Sequence, residues 1–171
     1  LVPEIPRKIL DRTERPARVA APRRANAPMV LSDEKTGMTL EVTLEGATDA
    51  PAEVVDGFVA YRGALDGADV ILRARADGVE DYISVDRMPS ENEVRYSVHL
   101  AKGVAGLRLV GDVLEFTDGD NGPILRMAQP WVVGADGVRH EAHVQVRGCK
   151  YDASPVSPWG RAVTPPGATT C

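Results

Sequence analysis

From Gly37 the chain alternates. Met38, Leu40, Val42 and Leu44 are interleaved with Thr39, Glu41 and Thr43, the two-residue period of a half-buried β-strand. Gly46 ends that run, and the same grammar then repeats. Strands are predicted over 58–61 and 68–74, separated by turns at Gly63 and Asp66-Gly67, and Ala76-Asp77-Gly78 fits a tight hairpin because Asp and Gly tolerate positive φ. Val79, Asp81, Ile83 and Val85 then share one face, so Asp81 is expected at an edge or in a hydrogen bond. The strand over Val94–Leu100 has the cleanest alternation. Beyond Gly103 and Gly106, strands over 107–110 and 113–117 flank Gly111-Asp112, and 124–127, 131–133 and 139–146 follow, separated by turns. About ten short strands with no useful helical period predict an all-β fold. The expected architecture is an antiparallel β-sandwich, jelly-roll-like, with an extended N-terminal arm and a disulfide-closed C-terminal tail.

The ends read differently. Residues 1–36 form a basic, Pro-rich arm in which Pro3, Pro6, Pro16, Pro22 and Pro28 withhold backbone donors, so an extended, solvated segment is expected, with a short helix over 5–15. The sandwich is assigned to 37–148 as one domain. The tail, 149–171, is bounded by the two cysteines of the chain, Cys149 and Cys171, whose pairing is the economical reading. It would close a loop worth roughly 3 kcal/mol in the chain-entropy picture and implies an oxidising compartment.

Composition narrows the function. Across 171 residues the apolar share is 43% and the charged share 26%, ordinary for a folded domain, whereas aromatics reach only 5%, so the core must be aliphatic. The net charge of −5 hides an asymmetry: residues 1–24 carry about +4 and the remainder about −9. An acidic body short of aromatics lacks the basic face and stacking platforms that nucleic acid rewards. No apolar run approaches the ~18 residues of a transmembrane helix. Leu1 follows no Met and no cationic-then-apolar leader, which reads as a mature or excised piece of a longer precursor.

Candidate chemistry is sparse. His140-Glu141-Ala142-His143 is not HExxH, and on a strand an i, i+3 pair points to opposite faces, so no metal site is assigned there. His99 is expected in solvent on the polar face of its strand. Asp118-Gly119-Asp120-Asn121-Gly122 suggests a weak Ca²⁺ loop, but it lacks the third acidic position and distal Glu of the EF-hand pattern, and a hairpin turn is the favoured reading. Adjacent Glu80 and Asp81 point apart, and Ser90, Ser154 and Ser157 lack a nucleophile elbow. No cofactor is implied and no residue is assigned a catalytic role. Trp131 is expected in the core; Trp159 caps the sandwich or meets a partner, and both are the candidates for partner or glycan contact.

The succession Gly46-Ala47, Asp56-Gly57-Phe58-Val59-Ala60-Tyr61, Gly67-Ala68-Asp69-Val70, Asp77-Gly78-Val79-Glu80-Asp81, the 96–100 strand, Leu114-Glu115-Phe116, Ala128-Gln129-Pro130-Trp131 and Ala135-Asp136-Gly137 resembles a known pattern. It is similar to the β-rich N-terminal region preceding repeat arrays, Rhs/YD-type or kelch-like, in large secreted surface proteins of myxobacteria and their relatives. The tail Pro158-Trp159-Gly160-Arg161 to Thr164-Pro165-Pro166-Gly167-Ala168 resembles the linker that follows it. The resemblance implies a non-catalytic extracellular or cell-surface module with a structural, assembly or adhesion role. Its partners would be other protein domains or copies of itself. The competing reading is a carbohydrate-binding module, and a hydrolase ranks third.

Overall fold

A computed structural model describes residues 17–87, 89 and 91–171. Among these there is no helix, and thirteen strands form antiparallel sheets, so the all-β expectation holds. The helix expected over 5–15 and Ser90 lie outside the described residues. The chain divides into two compact units, one of residues 17–35 with Glu41–Ser97, the other of Thr36–Leu40 with Val98–Cys171.

The first unit is a sandwich. One sheet runs in the order β1 (Ala17–Ala20), β2 (Met29–Asp33), β3 (Thr39–Leu44), β8 (Tyr96–Lys102), of which residues 39–40 and 98–102 are counted with the second unit; the other is the meander β4 (Glu53–Val55), β5 (Phe58–Leu65), β6 (Ala68–Arg75), β7 (Gly78–Ser84). Leu44 and Tyr96 of the first sheet meet Tyr61, Val70 and Leu72 of the second in one core. Tyr61 is 1% exposed, and its hydroxyl donates to the Pro22 carbonyl at 2.7 Å, so the largest core side chain leaves no polar atom stranded.

That bond shows where the arm goes. Residues 17–33 are a β-hairpin within the sandwich, with Val19 opposite Leu31, rather than a solvated extension. Ala25 is buried, and the Ala25 N–H donates to the Ala50 carbonyl at 3.0 Å. Pro22 and Pro28 lie in the connection between β1 and β2, where a missing donor costs no ladder bond. Two of the arm's arginines are matched, Arg18 with Glu34 and Arg24 with Asp49.

Turn chemistry sets the meander. Asp56 and Gly57 have φ of 49° and 81°, and Asp66 and Gly67 of 47° and 81°, the paired positive values of a two-residue hairpin turn. Gly63, expected as a turn, instead sits inside β5 where the register with β6 shifts; its N–H donates to the Asp69 carboxylate at 2.8 Å. Asp81 is hydrogen-bonded as expected, accepting from the Tyr96 hydroxyl. Burial, and then the Asp81 carboxylate, push the Tyr96 phenol well above its ordinary value.

The second unit holds the sheet β9 (Gly106–Val110), β10 (Val113–Thr117), β11 (Pro123–Met127) in the order β11-β10-β9, and the separate hairpin β12 (Trp131–Val133), β13 (Arg139–Glu141). Leu107, Leu114 and Phe116 are its buried apolar residues on that sheet. Glu115 lies across from Arg108 and Arg126 on the neighbouring strands, at 3.4 and 3.0 Å, a cross-strand charge triplet that fixes the register.

Candidate functional site

The C-terminal tail is built into the second unit as a strap. Cys149 and Cys171 are joined, with a sequence separation of 22 residues. At the far end of the loop, the Val98 N–H donates to the Cys171 carbonyl at 2.8 Å, the Cys171 N–H to the Val98 carbonyl at 3.0 Å, and the Leu100 N–H to the Thr169 carbonyl at 2.8 Å. Thr169–Cys171 therefore occupies an edge of β8. At the near end, the Leu109 N–H donates to the Asp152 carbonyl and the Asp152 N–H to the Leu107 carbonyl, at 2.8 and 2.9 Å, a parallel bridge along the open edge of β9. One covalent staple thus holds a segment that satisfies two strand edges, each otherwise a row of unpaired donors and acceptors.

One carboxylate braces the strap internally and one amide ties it to the sheet's turn. The Asp152 carboxylate accepts from the Ser154 N–H at 2.9 Å and meets Arg161 at 2.8 Å, and these contacts hold it below the usual carboxylate range. The Asn121 amide donates to the Arg161 carbonyl at 2.7 Å. Gly106 is required where the strap crosses β9, because a Cβ there would stand 2.5 Å from Val163 Cγ1 and 3.1 Å from the Thr164 carbonyl oxygen.

The Asp118–Gly122 segment is a turn. Asp118 Oδ1 accepts from the backbone N–H groups of Asp120 and Gly122, at 3.0 and 2.8 Å, and Asn121 takes φ of 61°. The carboxylate that would lead a Ca²⁺ loop is folded onto its own backbone. No group of three or more His, Cys, Asp or Glu suited to a metal occurs among the described residues.

His140 and His143 diverge. His140 lies on β13 opposite Val132, whereas His143 follows the strand and its Nδ1 sits 3.0 Å from Asp112 Oδ2. A His–Asp contact is half of a proton-relay pair, but the His143 side chain is 80% exposed, and Asp112 also accepts from the Val144 N–H at 2.9 Å and the Gln129 amide at 3.4 Å. Asp112 accordingly clasps the chain on both sides of the β12–β13 hairpin. The Val144 N–H, then the His143 ring, keep its carboxyl below the ordinary value.

Trp131 corrects the core expectation. It is 43% exposed on a hairpin whose six strand residues are all exposed, and the Arg139 guanidinium lies 5.1 Å from its ring centroid. The run Trp131-Val132-Val133 is apolar on both faces of a two-stranded ribbon and so cannot bury either. Trp159 is 65% exposed on the strap. His99 is exposed, as expected of it, and its Nδ1 also reaches Thr170 Oγ1 at 3.2 Å, so it contacts the strap end. Glu80 pairs with Arg73 and Arg75 while Asp81 meets Tyr96, in keeping with their opposite directions. Ser154 is spent on the strap, its Oγ accepting from the Val156 N–H at 3.3 Å.

Pro22, Ala25, Tyr61, Asp81 and Tyr96 line a cavity of about 40 Å³ in the first unit. It has room for a few waters and falls far below the several hundred Å³ of a small-molecule site. No helix among the described residues is long and apolar enough to cross a membrane. No family model matches the chain, nor does any curated protein or solved structure.

Proposed function

We propose that the chain is a non-catalytic β-module of a secreted or cell-surface bacterial protein, with a structural, assembly or adhesion role, of the kind that precedes repeat arrays. The observation that carries this reading is the stapled strap: structural disulfides belong chiefly to oxidising surroundings, and here the bond secures backbone edges rather than a reactive centre. The polar side chains with chemical potential are engaged in the same task. Asp112, Asp118 and Asp152 hold backbone N–H groups, and His143 stands in solvent beside the first of them.

Two measurements test it. Thiol-trapping mass spectrometry on the chain taken directly from its producing cells should find Cys149 and Cys171 unmodified by the trap; labelling of both would end the extracellular reading. The native particle isolated from the same cells should contain the chain bound to other protein domains or to copies of itself, and a bare monomer would end the assembly role.

A carbohydrate-binding module is the second reading, favoured by exposed Trp131 and Trp159. Arg139 already stacks at Trp131, so a sugar on that face would have to displace a guanidinium. Glycan-array binding that disappears in Trp131→Ala or Trp159→Ala would put this reading first.

A further inference from the structure

The geometry points to a second copy of this chain as the partner of strand β13, through antiparallel pairing about a two-fold axis at His140. The hairpin is anchored at its base, where Asp112 grips Gln129 on one side and His143 and Val144 on the other. Beyond that clasp its strand residues are all exposed. The Ala142 N–H donates to the Pro130 carbonyl and the Gly134 N–H to the Val138 carbonyl, each at 3.0 Å. These two bonds fix the alternation: even-numbered residues of β13 turn their backbone groups toward β12, while Arg139 and Glu141 turn theirs outward. No backbone group among the described residues pairs with them.

The side chains choose the occupant. Placing β13 against its own copy with His140 on the axis sets Arg139 opposite the partner's Glu141, and Glu141 opposite the partner's Arg139. Both are hydrogen-bonded pairs, because these are the residues whose N–H and C=O face outward. Four backbone bonds and two cross-strand charge pairs form at once. A shift by two residues would break both charge pairs, so the sequence specifies one register. On the opposite face His140 would meet its own copy, and the 48% exposed Val138 would lie opposite the partner's Ala142 and lose part of its exposure.

The open edges of β12 and β11 lack this complementarity. The outward positions of β12 are Trp131 and Val133, which carry no charge to set a register, and β12 starts directly after Pro130. The open edge of β11 begins with Pro123 and is bulged between Phe116 and Thr117 of its neighbour, features that discourage strand addition.

This inference refines the assembly role by naming its surface and partner, and it fails separately from it. Sedimentation equilibrium of the full chain should show concentration-dependent association toward twice the 18.3 kDa chain mass. Arg139→Glu sets like charges at both pairs and so does Glu141→Arg; each alone should raise the apparent dissociation constant at least tenfold. Mixing the two variants restores opposite charges at both contacts and should recover association. Glu141→Arg leaves the Arg139–Trp131 stack in place, so its effect separates pairing from stacking. A wild-type chain that stays monomeric at high concentration, or a mixture no tighter than its components, overturns the pairing. A native particle made with another protein would leave the assembly role standing without it.

Discussion

Replacing both cysteines, Cys149→Ser with Cys171→Ser, should release the strap from its distal end. For a separation of 22 residues the chain-entropy relation gives a loss of about 3.4 kcal/mol at 25 °C. On the scale of a 171-residue chain this corresponds to roughly 7–14 °C in the melting midpoint. The local balance is more revealing. Three backbone bonds hold Thr169–Cys171 to β8, and at about 1 kcal/mol net each they supply about 3 kcal/mol. Ordering those three residues costs about 1–2 kcal/mol apiece, so the bonds alone roughly break even or fall short. The disulfide is what tips the end onto the sheet. Amide hydrogen exchange read residue by residue should therefore show Val98 and Leu100 losing protection in the double variant, and in the reduced wild type, while core amides such as that of Phe116 change less. Unchanged protection at Val98 and Leu100 would refute the account, because the edge would then be held without the staple.

Gly106→Ala should destabilise by about 1–3 kcal/mol through the collision of its Cβ with Val163 and Thr164, measured by urea unfolding, and should expose the Leu109 amide that Asp152 covers. Asn121→Ala loses both the donor to Arg161 and a residue that tolerates φ of 61°, for about 2 kcal/mol; Asn121→Gly, which keeps the turn conformation, should recover part of that loss in the same assay. Asp69, Asp112 and Asp152 all titrate below the ordinary value when folded, each held chiefly by a backbone N–H. Their contribution is whole above about pH 4 and is lost as the pH falls through their folded values, so unfolding free energy should drop on acidification, less steeply in Asp112→Asn.

The parts of the fold governed by local rules could be read from the sequence. Asp66-Gly67 announces its hairpin because paired positive φ is a local demand, whereas the hairpin read at Asp77-Gly78 turns on Ala76-Asp77 without positive φ, and Gly78 opens β7; Leu40 to Leu44 alternate because one face of β3 is buried. Gly63 reads as a turn but marks a bulge, because its role depends on Asp69 across the ladder, a contact absent from any window around the glycine. The β1–β2 hairpin was masked by proline and arginine, although Arg18 and Val19 do alternate outward and inward; both prolines turned out to flank the strands rather than interrupt them. Val144 and Val146 continue the alternation of β13, yet the ladder stops at Glu141 because Asp112 takes the Val144 N–H. Trp131 lies outside the core although a continuous apolar run reads as burial, because a ribbon of two strands has nothing on either side to bury it.

The same limit explains why the cysteine pair was legible and its purpose was not. Two cysteines bounding a proline-rich segment suggest a closed loop, but the edges it covers belong to β8 and β9, some forty to seventy residues upstream, and only the folded chain brings them together. Within one unit, then, the backbone meets exposed strand edges in two opposite ways. On β8 and β9 the edges are capped by the chain's own tail and locked covalently, which denies them to any other strand. On β13 the edge is left open, anchored at its base by Asp112, and lined with charges that repeat in reverse about His140. An edge defended against all comers by lysine or proline would carry like charges or lack donors; Arg139 and Glu141 do neither, and they reject most registers while admitting their own image. On the proposed pairing, assembly and protection fall to different edges of the second unit, and removing the staple should add a second, non-selective edge to the one the charges regulate.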